Sequence, residues 1–241
     1  MTPGLFGALV AANLMTLDAA AFMTVAQARS TVVRQDFMAG LGDRPGTPVG
    51  EPLDLHPDLL ILSVKGFLND EECSGPTFGQ GEEEVCLTAC NKSNEVVYLD
   101  YHQLMPLYRE VPGATPKQNL AFIGRGRISI APQTCGTGGL DTREEEDELK
   151  AQAEAGTLPE GVGVRFLMKA MCLNGSRDVP DQGDSYDITS RLGHPQLKEI
   201  AALVDGKTLT DEGVDLVQDA LWEVTEYGGL TDEMRAKLRT L

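Results

Sequence analysis

Basic side chains are scarce in this chain of 241 residues. It has 20 lysines and arginines against 37 aspartates and glutamates, so its formal net charge is −17. Such a charge repels phosphate backbones and anionic membrane surfaces, and we expect no nucleic-acid partner. Only two runs concentrate the acid, at 82–84 and 144–148. We interpret both as solvated surface rather than as a cation-binding surface.

The sequence also lacks an uninterrupted apolar run long enough to cross a membrane. A transmembrane helix needs about 20 predominantly apolar residues. The most apolar stretch, Leu5 to Ala28, is interrupted by Asn13, Asp18 and Gln27. We therefore expect no transmembrane anchoring.

Gly and Pro content divides the chain into three parts. Residues 1–37 form an apolar N-terminal segment, which could be an export signal, a packing helix or a segment donated to a neighbouring subunit. We favour export, because the stretch ends in a small-x-small pattern despite having no basic n-region. Residues 38–57 are rich in Gly and Pro, which predicts a linker. Residues 58–241 are expected to form a β-rich domain.

No pair among the five cysteines has the two-residue spacing of a zinc finger or a redox CxxC site. Cys73, Cys86, Cys90 and Cys135 lie in turn-rich sequence, where an oxidising compartment would favour disulfides. Four cysteines allow three pairings, and the sequence does not choose among them. Cys172 is left over, either as a small core residue or as a thiol with special chemistry.

Short apolar runs separated by turn residues predict a mainly β fold, sandwich or barrel-like, with a C-terminal helical subdomain. The predicted strands are 58–68, 95–102, 119–132 and 161–173. Thr142 and Glu145 form a capping box that predicts an inserted helix over 141–156. Pro195 at a first helical position and the N-caps Thr210 and Thr231 predict three further helices within 195–241.

Two polar groups are predicted near the junction of strand and helices. Alternation along the strand from Val162 places Cys172 at the end of an apolar face. In the helix after Thr210, Gln218 falls inside or at the rim of the apolar arc. An unpaired carboxamide there would cost about 1–3 kcal/mol. It must therefore bond to backbone, or its side chain has reacted.

The sequence around these two residues resembles the bacterial surface thioester domains. The resemblance covers about residues 162–230, and it is carried by AMCLN at 170–174, by Pro180, Gly183 and Tyr186, and by VQDALW at 217–222 with Ala220 and Trp222. In that family a strand cysteine and a helix glutamine form an internal thioester with loss of ammonia. The resemblance implies that Cys172 is the thiol and Gln218 the acyl donor; a relative without the bond would keep the same residues as packing features.

We therefore expect an extracellular or cell-surface adhesion protein that captures a partner's amine, and not an enzyme. The alternative is a disulfide-stabilised structural subunit of an extracellular filament, sheath or surface layer, in which the protein binds copies of itself. No cofactor is predicted. Calcium is considered only because Asp181, Asp184 and Asp187 recur at intervals of three in a polar loop that lacks EF-hand spacing.

Overall fold

A computed structural model describes residues 39–48, 50, 52–66, 73–102, 105–136, 140, 142–189 and 192–241. All of them lie in the unit Met38–Leu241. The predicted N-terminal segment, residues 1–37, lies outside the described residues. Within the described part, no helix combines the length and the apolar composition needed to cross a membrane.

The described residues form a mainly β fold with helices at the C-terminal end, which confirms the predicted fold class. The strands are β1 (Leu59–Gly66), β2 (Thr77–Gly79), β3 (Glu83–Asn91), β4 (Val97–His102), β5 (Met105–Tyr108), β6 (Leu120–Ala121), β7 (Arg125–Ile130), β8 (Val164–Cys172) and β9 (Tyr186–Thr189). The helices are α1 (Arg143–Ala155), α2 (Pro195–Val204), α3 (Asp211–Thr225) and α4 (Asp232–Thr240).

A five-stranded sheet forms the centre of the domain. Its strands run in the order β1-β3-β8-β2, and β6 pairs with the end of β8. The β1–β3 and β3–β8 pairs are antiparallel, whereas β2 joins β8 in parallel. Two smaller antiparallel ribbons, β4–β7 and β5–β9, complete the β structure.

Side-chain alternation gives the central sheet a core on each face. Val85, Leu87 and Ala89 of β3 pack with β4 and β7 in one apolar cluster. Cys90, which follows Ala89, points to the opposite face and lies in a second cluster together with Leu149 of α1. The sheet is therefore covered by a ribbon on one side and by a helix on the other.

The four cysteines that were expected to pair form two disulfides. Cys73 bonds to Cys86, and Cys90 bonds to Cys135. Cys172 is free and buried. The prediction that the first four cysteines pair with each other is thus confirmed, and the structure selects one of the three pairings.

The helix boundaries follow the predicted capping residues. Thr142 and Glu145 form the capping box of α1, and Pro195 occupies the first turn of α2. Thr210 and Thr231 accept backbone hydrogen bonds at the N-termini of α3 and α4. The last three helices pack on a third apolar cluster, which also includes Met171 and Leu173.

The run predicted as one strand over 119–132 is instead two strands with different partners. β6 pairs with β8, whereas β7 pairs with β4. Gly124 lies between them with φ of 95°, a left-handed conformation that interrupts a strand and favours glycine. The apolar residues on either side of this turn therefore belong to different sheets.

The Gly/Pro-rich segment predicted as a linker is held against the domain where it is described. Leu41 is buried in the helical cluster. The Asn174 side chain donates to the carbonyl oxygens of Gly40 (2.8 Å) and Gly42 (3.0 Å). This segment therefore lies beside the end of β8 and covers it.

Candidate functional site

The end of β8 is buried on both faces because it lies between two apolar clusters. Ala170 and Cys172 point into the cluster shared with the β4–β7 ribbon. Met171 and Leu173 point into the cluster shared with the C-terminal helices. The alternation predicted from the sequence is the reason that Cys172, only 4% exposed, faces the interior.

The Gln218 carboxamide lies against the backbone of Cys172. The Cys172 backbone N–H donates to Gln218 Oε1, and Gln218 Nε2 donates to the Cys172 carbonyl oxygen, each at 2.8 Å. Gln218 is 2% exposed, since α3 packs its apolar side onto this part of the sheet. The structure thus brings together the two residues that the sequence singled out.

The place of this carboxamide follows from the register of the sheet. The β3–β8 ladder ends at the pair Glu83 and Ala170, and the same register would put Gly81 opposite Cys172. Gly81 forms no such pair. The Gln218 side chain instead satisfies the Cys172 backbone, because its carbonyl oxygen accepts from the Cys172 N–H and one of its two N–H donors bonds to the Cys172 carbonyl oxygen. These two hydrogen bonds give both polar atoms of the Gln218 side chain a partner, so they are sufficient to explain why this glutamine is buried.

The Cys172 thiol has a different neighbour, the carboxylate of Glu83. Sγ donates to Glu83 Oε1 at 3.5 Å. Burial raises the pKa of the Cys172 thiol well above its ordinary value, and the negative charges of Glu83 and Glu82 act in the same direction. The thiol is therefore protonated at neutral pH, and it needs a base before it can act as a nucleophile.

The three glutamates of the acidic run at 82–84, predicted as solvated surface, lie in three different environments. Glu83 faces the thiol and is partly buried, and that burial raises the pKa of its carboxyl group. Glu84 pairs with Lys169 at 3.6 Å. The exposed Glu82 has a raised pKa, first because its side chain hydrogen-bonds to Asp215 of α3. The interpretation as simple surface is therefore wrong for Glu83.

The other residues of the resemblance, Tyr186, Ala220 and Trp222, lie in or against the two apolar clusters around the pair. The Tyr186 side chain is fully buried, and its hydroxyl donates to the Gln118 carbonyl oxygen at 3.3 Å. Ala220 is buried in the helical cluster. Trp222 covers Gly175, where a β-carbon would approach the indole to 3.0 Å. These positions shape the packing around Cys172.

The three aspartates considered for calcium bind different partners. Asp181 pairs with Lys117 at 2.6 Å, and Asp187 pairs with Arg109 at 2.9 Å. Asp184 accepts a hydrogen bond from the Asp181 backbone. No group of three His, Cys, Asp or Glu side chains able to hold a metal occurs in the described ranges. Calcium binding therefore gains no support from their geometry.

No family model, curated protein or solved structure matches this chain. The chemistry of the site itself must therefore indicate the function. Three groups meet at the end of β8. They are the buried Cys172 thiol, the Glu83 carboxylate hydrogen-bonded to it, and the Gln218 carboxamide held by two hydrogen bonds. This set contains a nucleophile, a base and a carbonyl carbon, which are the groups that acyl transfer requires.

Proposed function

We propose that this protein is an extracellular binding protein that captures an amine of its partner through an internal thioester between Cys172 and Gln218. The observation that carries the proposal is the buried pairing of the Gln218 carboxamide with Cys172. Gln218 lies beside the one free thiol of the described residues, and its two hydrogen bonds to the Cys172 backbone hold the amide in a fixed orientation.

The proposed reaction is balanced without a cofactor. The Cys172 sulfur attacks the Gln218 side-chain carbonyl carbon, the C–N bond breaks and ammonia leaves. A thioester then joins the two side chains. A primary amine of the partner later attacks the same carbon, the C–S bond breaks, and an amide joins the partner to Gln218 while the Cys172 thiol is restored. Each molecule reacts once.

The hydrogen bonds at Gln218 support this chemistry. The Cys172 N–H donates to Oε1, the atom on which negative charge develops when the carbonyl carbon is attacked. The surrounding apolar clusters keep water away from the thioester. The Gln218 carbonyl group is thus polarised by the Cys172 N–H and protected from water by the apolar clusters.

Two disulfides support a location outside the reducing cytosol. Disulfides persist in oxidising compartments and are rare in the cytosol. The pairs Cys73–Cys86 and Cys90–Cys135 leave Cys172 without a neighbouring cysteine partner. An extracellular adhesion protein fits this arrangement.

The filament-subunit alternative stays a prediction. It depends on the apolar segment 1–37 as the joint between subunits, and that segment lies outside the described residues. No contact of the described domain favours it over amine capture.

A biotin-labelled primary amine tests the proposed function. Incubated with the untreated protein, it should become covalently attached, and peptide mapping should locate it on the side chain of Gln218. Cys172→Ala should abolish the labelling, because no thioester can form without the thiol. Gln152→Ala, a glutamine of α1 outside the site, should label like the wild type. Labelling that survives Cys172→Ala, or none in the wild type, would contradict the proposal.

A further inference from the structure

Glu83 is positioned at the sulfur by the register of the sheet. It lies opposite Ala170 in the antiparallel β3–β8 pair. Cys172 is two residues further along β8, on the same face as Ala170. Glu83 and Cys172 are therefore diagonal neighbours, a separation that a long side chain can cross. The 3.5 Å contact between Sγ and Oε1 is this diagonal contact.

The two neighbouring glutamates do not share this position. Alternation along β3 sends Glu84 to the other face, where it pairs with Lys169. Glu82 precedes the strand and hydrogen-bonds to Asp215. Among the three consecutive carboxylates, only Glu83 is hydrogen-bonded to the thiol.

Thioester formation requires a proton acceptor at this position. The thiol is protonated in its buried setting, whereas the attacking species must be the thiolate. The leaving amide nitrogen, in turn, needs a proton to depart as ammonia. A single carboxylate beside the sulfur can carry out both transfers, first as a base and then as an acid.

We propose that Glu83 is a catalytic residue that carries the proton in both acyl-transfer steps of the thioester. It accepts the Cys172 proton as the sulfur attacks Gln218, and it delivers that proton to the amide nitrogen, which leaves as ammonia when the C–N bond breaks. During capture it accepts a proton from the attacking amine and returns it to the sulfur as the C–S bond breaks. This inference rests on the proposed function.

Methylamine and intact-protein mass provide the test. Wild type, Glu83→Gln, Glu83→Asp and Glu84→Gln are purified in parallel. Their initial thioester content is read from the loss of ammonia, and the rate of opening by methylamine is then followed. Glu83→Gln keeps the size of the side chain but cannot take a proton; Glu84→Gln removes the same charge one residue away. A cooperative urea-unfolding transition like that of the wild type, with both disulfides retained, shows that each variant is folded.

Glu83→Gln should lack the thioester, or open with methylamine at least about 100-fold more slowly than wild type, as expected for loss of a general acid–base group. Glu83→Asp, whose side chain is shorter, should react with methylamine at a rate between those of Glu83→Gln and wild type. Glu84→Gln should match wild type in both thioester content and rate. Wild-type behaviour in Glu83→Gln would overturn the role of Glu83 while leaving the thioester intact. Absence of the thioester from wild type itself would refute the proposed function, and this inference with it.

Discussion

At the scale of single residues, two glutamine side chains each satisfy one backbone N–H and one backbone carbonyl oxygen, as a neighbouring strand would. Gln218 bonds both backbone groups of Cys172 in the interior. Gln80, at a partly exposed position, also bonds two backbone groups, but those of two residues: it donates to the Lys207 carbonyl oxygen and accepts from the Leu209 N–H. The two share their hydrogen-bond chemistry and differ in burial, so they form a matched pair for mutation.

Gln218→Ala should destabilise the protein more than Gln80→Ala. In a Cys172→Ala background, where no thioester can form, loss of Gln218 leaves two buried backbone groups unpaired. We expect the free energy of unfolding to fall by about 2–4 kcal/mol. Water can replace the Gln80 side chain, so that variant should lose about 1 kcal/mol. Urea unfolding measures both, and equal losses would show that burial of Gln218 contributes nothing.

Periodicity was enough to predict part of the site. Alternation placed Cys172 on an apolar face, and helical spacing placed Gln218 within the apolar arc; the structure agrees with both. Glu83 was missed because its partner is set by strand register, which joins residues 89 positions apart. The period-two spacing of Glu83 with Val85, Leu87 and Ala89 would place all four on one face, but only once 83–91 is recognised as a strand.

At the scale of elements, the largest omission from the sequence predictions is β3. This strand is central to the sheet, yet it begins with glutamates and contains two cysteines and an asparagine, which gave the sequence the character of a loop. Its last seven residues are buried on both faces, so no simple alternation of polar and apolar residues marks it. Strands with one solvated face, such as β4, were predicted well.

Each disulfide has one cysteine on β3, and the two bonds close loops of different length. Cys73 and Cys86 are 13 residues apart, whereas Cys90 and Cys135 are 45 apart. A longer closed loop removes more entropy from the unfolded chain. The Cys90–Cys135 bond should therefore stabilise the domain more than the Cys73–Cys86 bond.

Replacing each pair by alanine tests this order. We expect the free energy of unfolding to fall by about 4 kcal/mol for Cys90→Ala with Cys135→Ala, and by about 3 kcal/mol for Cys73→Ala with Cys86→Ala. Chemical unfolding of both double variants under non-reducing conditions gives the comparison. A larger loss for the shorter loop would mean that contacts around Cys73, rather than loop closure, determine the difference.

At the scale of the whole molecule, the fold encloses the site and the net charge favours cationic partners. The sheet and the helices meet at the end of β8, where they enclose the thiol, and the segment around Leu41 covers the junction. The net charge of −17 attracts cations over distances comparable to the Debye length, about 8–10 Å at physiological salt. Under the proposed function, a partner that offers lysine side chains would be attracted by this net charge and would also supply the amine.

The mass of the intact, untreated protein measures the central claim most directly. With four sulfurs in disulfides, we predict a value lower by one further ammonia than the sequence requires, and no thiol that reacts after denaturation without reductant. Cys172→Ala should restore the missing ammonia. A wild-type protein at the full disulfide-bonded mass, with one reactive thiol on unfolding, would mean that Cys172 and Gln218 serve only to pack the helix against the sheet.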